Sequence, residues 1–430
     1  MAMADESSLG KAGVLNLNAL SYRMPPDLSV AVSRTVTSQW FASQTAAAGS
    51  SSMCIWNTGA AYVNARQSSL VFDLKNDSAK AVWFGLHGSS AASVINRITI
   101  SSRSGQILEK VDRANQLAAI KALYTHDNAW SKTGPGSAMG MVPAIGDLAW
   151  AAGAIIRFVI PLGHISPMFD SVDSLLPAQL CSGLKFEVTW ETGQNALMSA
   201  EKEGSLNYSV SNMRFQTESY LLSDLVMRSL NEQSASAGLE VVCTTAFNNQ
   251  TSRATSLLTT DVGKSVSRAL SFIYKEREII TTINRSNLSN FMSVMQTGTD
   301  STSYVNEWQA RVGSLYYPQA SIRTTPDIGA RGACPELYMQ TLRAFGKFDQ
   351  RDTISCSVSE KAYREGDMCI AQDLERSNVQ QLSGIPLSQS RTLSITVANT
   401  EAVSLKTEID IYLMFVQLIR VFSSQVVIEI

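Results

Sequence analysis

Apolar side chains at every second position recur in short stretches along most of the chain. In residues 184–190 the alternation places Leu184, Phe186, Val188 and Trp190 on one face of an extended strand. Further strands of this kind are predicted at residues 68–74, 94–100, 155–160, 391–397, 409–415 and 426–430, and at 269–274 with Leu270, Phe272 and Tyr274 on one side. Glycine, proline, asparagine and serine separate these stretches, which is typical of an antiparallel all-β protein.

Two segments break the alternation and predict helices. Residues 111–124 are rich in alanine, leucine and glutamine, and their apolar residues lie three to four positions apart. Residues 335–345 begin with Pro335, carry Glu336 in the first turn and end before Gly346. Proline at the start and glycine after the end are helix boundary signals.

The order of elements indicates an internal duplication. Residues 158–190 and 368–397 each contain a strand, a polar loop, a short turn with Ser-Gly and a second strand. Each half is predicted to close with a pair of strands, at 208–222 and at 409–422, and the polar segment 228–238 is the predicted junction. We therefore predict an all-β fold of two tandem eight-stranded antiparallel jelly rolls with short inserted helices.

The predicted domain limits are an N-terminal arm at 1–33, a first jelly roll at 34–230 and a second at 231–430. Two stretches are predicted as long loops: residues 133–153, which are rich in glycine and alanine, and residues 297–332, which are polar with little periodicity. Loops of this length in compact domains are usually functional or disordered. We expect them to project from one end of the sandwich and form a contact surface.

Composition favours a protein whose surface is covered by partner subunits. The 430 residues include 35 basic and 37 acidic side chains, and only 17% are charged, whereas about 25% is usual for soluble domains. Residues 1–33 carry two basic and three acidic side chains, so no basic arm for nucleic acid is present. We expect a soluble chain without a secretory signal, because charges interrupt the longest apolar stretch, 138–162. Six scattered cysteines without a CxxC motif predict reduced thiols.

The residue types that carry catalysis do not form a specific pattern. His87, His126 and His164 are 39 and 38 positions apart and form neither His-X-His nor HExxH, so they are predicted as polar loop or strand-end residues. Gly263-Lys264-Ser265 resembles the end of a phosphate-binding loop, but Leu258 stands where that loop needs glycine.

Three further candidates are weak. Residues 134–140 lack the first glycine of Gly-X-Ser-X-Gly and are predicted as a flexible insertion. Asp170 and Asp173 lie in one loop, where a solvated or capping role is favoured over acid–base catalysis. The seven tryptophans are dispersed and are predicted to pack in a core or an interface. We predict no catalytic residue, no cofactor site and no metal site.

Several segments, taken in order, resemble the double jelly-roll major capsid proteins of double-stranded DNA viruses and related elements. Residues 92–100 and 104–117 resemble that family's strand, hairpin and helix, and residues 335–348 resemble the helix of its second barrel. The other similar segments are 211–215 and 218–222 at the end of the first barrel, 262–273 at the start of the second, and 370–377, 382–385 and 388–393 in its last third. The resemblance covers residues 35–430.

The resemblance implies a structural, non-enzymatic virion protein. It implies homotrimers that form pseudo-hexagonal capsomers and tile an icosahedral shell, in contact with neighbouring capsomers and with penton or minor capsid proteins. An internal membrane is a further contact in such shells, and direct sequence-specific binding of nucleic acid is not expected. The implied location is the virion, after assembly in the host cytoplasm or nucleus.

The sequence alone leaves two other hypotheses about function open. The main alternative is a carbohydrate-binding or carbohydrate-hydrolysing β-sandwich protein, and the other is a bicupin-like or unrelated all-β protein. Size-exclusion chromatography with light scattering separates them. The capsid hypothesis expects a mass of three times 46.7 kDa, whereas a monomer that binds glycans would favour the alternative.

Overall fold

The architecture comes from a computed structural model, which describes most of the chain from residue 31 onwards. The described residues are 31–84, 90–141, 149–199, 206–253, 255–278, 305–323, 334–347, 356–363, 368–375, 384–399, 407–422 and 425–430. Predictions that fall on other residues, including the arm before residue 31 and His87, lie outside the described residues.

Twelve described strands lie in the first half of the chain. They are β1 Ala31–Trp40, β2 Thr45–Ala47, β3 Ser51–Ile55, β4 Tyr62–Asn76, β5 Trp83–Phe84, β6 Ile95–Ser101, β7 Ile107–Asp112, β8 Ile155–Pro161, β9 Leu175–Leu176, β10 Lys185–Trp190, β11 Leu197–Met198 and β12 Tyr208–Leu222. The main strands form two antiparallel sheets, in the orders β1-β12-β4-β8 and β3-β10-β6-β7. We refer to these strands as the first jelly roll.

Ten described strands form the second half. They are β13 Leu239–Arg253, β14 Leu257–Val262, β15 Val266–Glu278, β16 Val305–Val312, β17 Leu315–Arg323, β18 Ile370–Asp373, β19 Ile385–Leu387, β20 Leu393–Asn399, β21 Thr407–Val421 and β22 Val426–Glu429. Their sheets have the orders β13-β21-β15-β18 and β14-β20-β16-β17. We refer to these strands as the second jelly roll.

Both jelly rolls have the same strand order. When the eight main strands of each roll are numbered along the chain, one sheet reads 1-8-3-6 and the other 2-7-4-5 in both rolls. This is a sandwich of two four-stranded sheets, the arrangement of a jelly roll. The predicted fold class and the duplicated order of elements are therefore confirmed.

Short helices are inserted between the strands. They are α1 Ala114–Thr125, α2 Asn128–Thr133, α3 Pro135–Ala138, α4 Leu162–Ile165, α5 Pro167–Ser171, α6 Ala178–Cys181, α7 Gly193–Ala196, α8 Asp224–Ser236, α9 Pro335–Ala344 and α10 Glu360–Ala362, with a 3₁₀ turn at Ala91–Val94. Helices α1 and α9 both follow the fifth main strand of their roll and precede the sixth. No described helix has the length and apolar character needed to cross a membrane.

The two predicted helices exist, and the first begins later than predicted. Val111 belongs to strand β7, and Arg113 adopts a left-handed conformation with φ of 51° before α1 begins at Ala114. The strand ends there because a left-handed residue breaks its extended backbone. Helix α9 begins at Pro335 as predicted, and Gly346 follows it with φ of 68°.

Three other local predictions are wrong. Residues 208–222 and the segment 409–422 do not form pairs of strands, because β12 and β21 each run through 15 residues. The stretch predicted as a loop at 297–332 contains β16 and β17, and β17 is an edge strand in which only Ile322 is buried, so no clear alternation marks it. The insertion at 134–140 is not a free loop, because it contains α3 and leads into the buried Met139.

The predicted buried face is confirmed in β10 of the first roll and only in part in β15 of the second. Leu184, Phe186, Val188 and Trp190 are all buried, as the alternation predicts. In β15, however, Leu270 is half-buried, since the register with β21 shifts between Ala269 and Ser271. A bulge of this kind turns the extra residue away from its expected face.

Aromatic side chains fill the core of each roll. The ring of Trp56 stacks on Phe186 with 4.5 Å between centroids, and Phe186 lies 4.7 Å from Phe215. In the second roll the ring of Trp308 meets Tyr274 edge-on at 5.4 Å. All six cysteines are unbonded, five of them buried, which agrees with the predicted thiols.

Candidate assembly interface

The two jelly rolls pack head to tail within the chain. The edge strand β13 of the second roll lies against β7 and α5 of the first roll. The hydroxyl of Ser171 accepts a hydrogen bond from the backbone N–H of Thr244 at 2.7 Å, and the amide of Gln417 donates to the carbonyl of Leu108 at 3.0 Å. These bonds occupy polar groups at the edge of a sheet, where an unpaired strand would otherwise be open to association.

A buried carboxylate lies in this contact. Glu109 accepts hydrogen bonds from the hydroxyl of Ser166, from the backbone N–H of Met168 at 2.9 Å and from the hydroxyl of Thr245, in the second roll, at 3.1 Å. Burial raises the pKa of Glu109 to about 7, against the opposite influence of these donors and of Lys121. Glu109 therefore joins the two rolls through a buried carboxyl group whose pKa lies near neutral pH.

An ion-pair cluster extends the same contact. The guanidinium of Arg113 lies 2.8 Å from the carboxylate of Glu408 and 3.4 Å from that of Asp410, and its carbonyl accepts from the hydroxyl of Tyr412 at 3.0 Å. The side chain of Asp410 is 1% exposed. Burial raises the pKa of Asp410 to about 6, although Arg113 and the amide of Asn248 favour its charged form.

The end of α1 provides a third set of contacts. The ring of Tyr124 stacks on Phe345 of the second roll, with 5.0 Å between centroids and 13° between planes. Ser357 donates its backbone N–H to the carbonyl of Leu123 at 3.0 Å and its hydroxyl to the carbonyl of His126 at 2.8 Å. The inserted helix of one roll is therefore held by the other roll.

The duplication leaves the matching surfaces of this contact without a partner on strands β1 and β17 of the described residues. Strand β1 holds the edge position in the first roll that β13 holds in the second, and it exposes Val32, Val36 and Trp40, the two valines by 70% each. Strand β17 holds the position of β7, and it exposes Leu315 and Tyr316. Within the described residues, each of these strands pairs on one side only. Exposed apolar side chains in such a position mark an interaction surface.

Two of the three histidines, His126 and His164, lie near the ring of the same tryptophan, Trp130. The rings of His126 and Trp130 stack at 3.7 Å, and His164 lies 6.4 Å from the ring of Trp130. Burial lowers the pKa of both imidazoles, that of His164 to about 3, so both are neutral near pH 7. Among the described residues, no group of three or more histidine, cysteine, aspartate or glutamate side chains is placed to hold a metal ion.

Asp170 and Asp173, the carboxylates considered for acid–base chemistry, are each held by a cation. The carboxylate of Asp170 lies 2.6 Å from the ammonium of Lys121, and that of Asp173 lies 2.6 Å from the guanidinium of Arg66. Both pairs reach solvent, and paired surface carboxylates of this kind are common in proteins.

The two motifs considered for phosphate binding and for a catalytic nucleophile, residues 263–265 and 134–140, lie in other kinds of structure. The ammonium of Lys264 lies over the rings of Phe247 and Phe415, 5.5 Å and 5.8 Å from their centroids. This is a cation–π arrangement and not a phosphate cradle. The segment 134–140 contains α3, which begins at Pro135 and does not follow a strand directly.

Sequence reasoning missed the charged residues of the contact between the rolls. Glu109 and Asp410 are the acidic side chains of two mainly apolar stretches, residues 107–111 and 409–415. A charge at such a position is the available signal, since buried charges need a partner. The partner of Asp410, Arg113, could not be predicted from the sequence, because the two residues are 297 positions apart (410 − 113).

Comparisons with solved structures give the fold. No protein-family model and no curated protein sequence matches the chain. The VP54 protein of PBCV-1, fitted into a cryo-EM reconstruction of the virophage Sputnik, is similar over 95% of this chain and 98% of its own, with a TM-score of 0.61 and 9% identity. The Faustovirus major capsid protein matches over 93% of this chain and 92% of its own, with a TM-score of 0.58 and 8% identity.

A third similar structure is the mavirus major capsid protein, which matches over 96% of this chain and 93% of its own, with a TM-score of 0.51 and 10% identity. These matches extend through both jelly rolls and agree with the strand orders described above. The chain therefore has the double jelly-roll fold that is found in major capsid proteins.

Proposed function

We propose that the chain is a structural virion protein, a major capsid subunit that forms homotrimeric, pseudo-hexagonal capsomers and tiles an icosahedral shell. The observation that carries the proposal is the head-to-tail contact between two rolls of identical strand order. Such a contact uses β13 of one roll and β7 of the other, and leaves β1 and β17 as the unused counterparts.

Repetition of the internal contact between chains leads to a closed ring. A second copy can place its β17 surface against β1 of the first copy, as β7 lies against β13 within one chain. Heterologous contacts of this kind form rings when the rotation closes and filaments when it does not. Three copies supply six jelly rolls, and six equal contacts around one axis give a pseudo-hexagonal body.

The low charge of the chain favours a shell subunit over an enzyme. A net charge of −2 and 17% charged residues allow many copies to lie side by side with little repulsion. On this proposal the protein is not an enzyme, its partners are neighbouring capsomers and penton or minor capsid proteins, and an internal membrane is a further contact. It does not read nucleic-acid sequence, and it is located in the virion after assembly in the host cytoplasm or nucleus.

We propose the same domain limits as the sequence predicts, with an arm at 1–33, a first roll at 34–230 and a second at 231–430. The described strands support a division in this region, because β12 ends at Leu222 and β13 begins at Leu239. Helix α8 lies between them, and the hydroxyl of Ser234 donates to the carbonyl of Val421 at 3.3 Å.

Substitution of Val36 with aspartate tests the trimer. We expect the wild-type chain to have about three times its monomer mass in size-exclusion chromatography with light scattering, and Val36→Asp to shift it towards a monomer. The reason is that a charge placed in an apolar contact loses hydration without a partner. Leu257→Asp is the control, because Leu257 is also an exposed apolar residue on an edge strand but lies on β14, away from β1 and β17. A wild-type monomer that binds glycans would contradict the proposal.

Removal of residues 1–30 tests the proposed role of the arm. We expect the truncated chain to form trimers and to assemble into shells less well than the full chain, because such a segment links neighbouring capsomers or reaches beneath the shell. Light scattering of the capsomer and electron microscopy of assembly reactions measure the two steps separately. Loss of the trimer itself would show that the arm has been placed wrongly.

A further inference from the structure

A cavity of about 450 Å³ lies beside the end of α1 in the first jelly roll. Its volume falls in the range of roughly 300–1,000 Å³ that is typical of small-molecule sites. One part of its wall is apolar and is made by Trp130, Met139, Pro161 and Phe169.

The rest of the wall is polar, and each of its two cations is paired with a carboxylate, Arg66 with Asp173 and Lys121 with Asp170. Two cationic side chains, Arg66 and Lys121, and one carboxylate, Asp170, line the cavity. The ammonium of Lys121 lies 2.6 Å from the Asp170 carboxylate and 3.3 Å from the carbonyl of Gly163. An ammonium has three donors, so one remains after these two contacts.

His164 is the second, independent sign of a ligand. It lines the cavity and is only 9% exposed. No hydrogen-bond partner for its imidazole is found among the residues that the structure describes. A neutral imidazole has one N–H donor and one acceptor, and without a protein partner both remain available to a molecule in the cavity.

We infer that this cavity binds a small amphipathic monoanion, a carboxylate joined to an apolar body, with Lys121 and His164 donating to the carboxylate. The apolar body lies against Trp130 and Phe169. A bare anion would leave the apolar wall without a contact, and a neutral alcohol would offer a single oxygen to the two donors, Lys121 and His164. The chemistry of a medium-chain fatty acid fits both parts of the wall.

Binding at this site would also strengthen the contact between the two rolls. His126 lines the cavity, and its carbonyl accepts the hydroxyl of Ser357 from the second roll. A ligand that binds the folded chain and not the unfolded chain stabilises it by RT ln(1 + [L]/Kd). We therefore expect the thermal midpoint of the chain to rise with ligand concentration.

Calorimetric titration of the full chain with decanoate, decanol and inorganic phosphate tests the inference. We expect decanoate to bind with one molecule per chain, and both decanol and phosphate to bind at least about tenfold more weakly, a difference of about 1.4 kcal/mol. Equal binding of decanol would remove the role of the carboxylate, and equal binding of phosphate would remove the role of the apolar body. Either result, or no binding of decanoate, overturns the inference.

Variants locate the site and do not depend on capsomer formation. Lys121→Met is expected to weaken decanoate binding about tenfold, and Lys185→Met, which changes a lysine on β10 outside the cavity, is the matched control. His164→Gln, which removes the imidazole and retains an N–H donor, provides a second variant if Lys121→Met does not fold. Decanoate binding that is equal in wild type, Lys121→Met and His164→Gln would place the ligand elsewhere and overturn the inference.

Discussion

Replacement of Arg113 with methionine is expected to lower the free energy of unfolding of the chain by about 3 kcal/mol at pH 8. Arg113 is the cation that faces both Glu408 and Asp410 in the contact between the jelly rolls. Its removal leaves the buried Asp410 without a compensating charge, and the loss of one partner of a buried pair is costly. Chemical denaturation of wild type and variant at equal protein concentration measures the difference.

The effect of Arg113→Met should depend on pH. The pKa of Asp410 is about 6 in the folded chain, and without Arg113 it rises further, so the carboxyl is protonated and needs no cation at pH 5. We expect a smaller loss of stability at pH 5 than at pH 8. Arg97→Met is the control, because Arg97 pairs with Asp112 close by but is 46% exposed, where such pairs contribute about 0–1 kcal/mol. Equal losses in the two variants would show that the Arg113 cluster does not hold the rolls together.

The fold was largely predictable because it depends on local alternation. Strand β10 shows a regular alternation of buried residues with half-buried or exposed ones, and α9 has both its proline start and its glycine end in the sequence. Strand β17 was missed because it is an edge strand. Only Ile322 of its residues is buried, so no apolar period marks it.

The contact between the rolls was not predictable from periodicity. It combines β7 with β13 and joins Arg113 to Asp410, residues far apart in the sequence. The cavity was not predictable either, since His126 follows the end of α1 and His164 lies in α4, on the other side of strand β8 in the sequence. Spacing along the chain argues against a metal site at these histidines, but it does not bear on an organic ligand that takes a hydrogen bond from only one of them.

Replacement of Glu109 with glutamine is expected to stabilise the chain at pH 8 and not at pH 5. The pKa of Glu109 is about 7 in the folded chain, against an ordinary value of 4.5. Between these two values the folded chain holds a proton that the unfolded chain has released, so the stability of the wild type falls as the pH rises from 4.5 to 7. With 1.36 kcal/mol for each pKa unit, the total fall from this group is about 3 kcal/mol.

Glutamine resembles the protonated carboxyl and does not titrate, so the variant should lack this part of the pH dependence. Its amide oxygen can accept from Met168 and Thr245, and its amide nitrogen can donate to the hydroxyl of Ser166. Denaturant unfolding at pH 5 and pH 8 gives the difference between variant and wild type, in which the other titrating groups, Asp410 included, cancel. Glu187→Gln on the exposed side of β10 should show no such difference. A Glu109→Gln variant that is less stable than wild type by the same amount at both pH values would mean that the carboxylate is charged in the folded chain, and that its three donors outweigh the cost of burial.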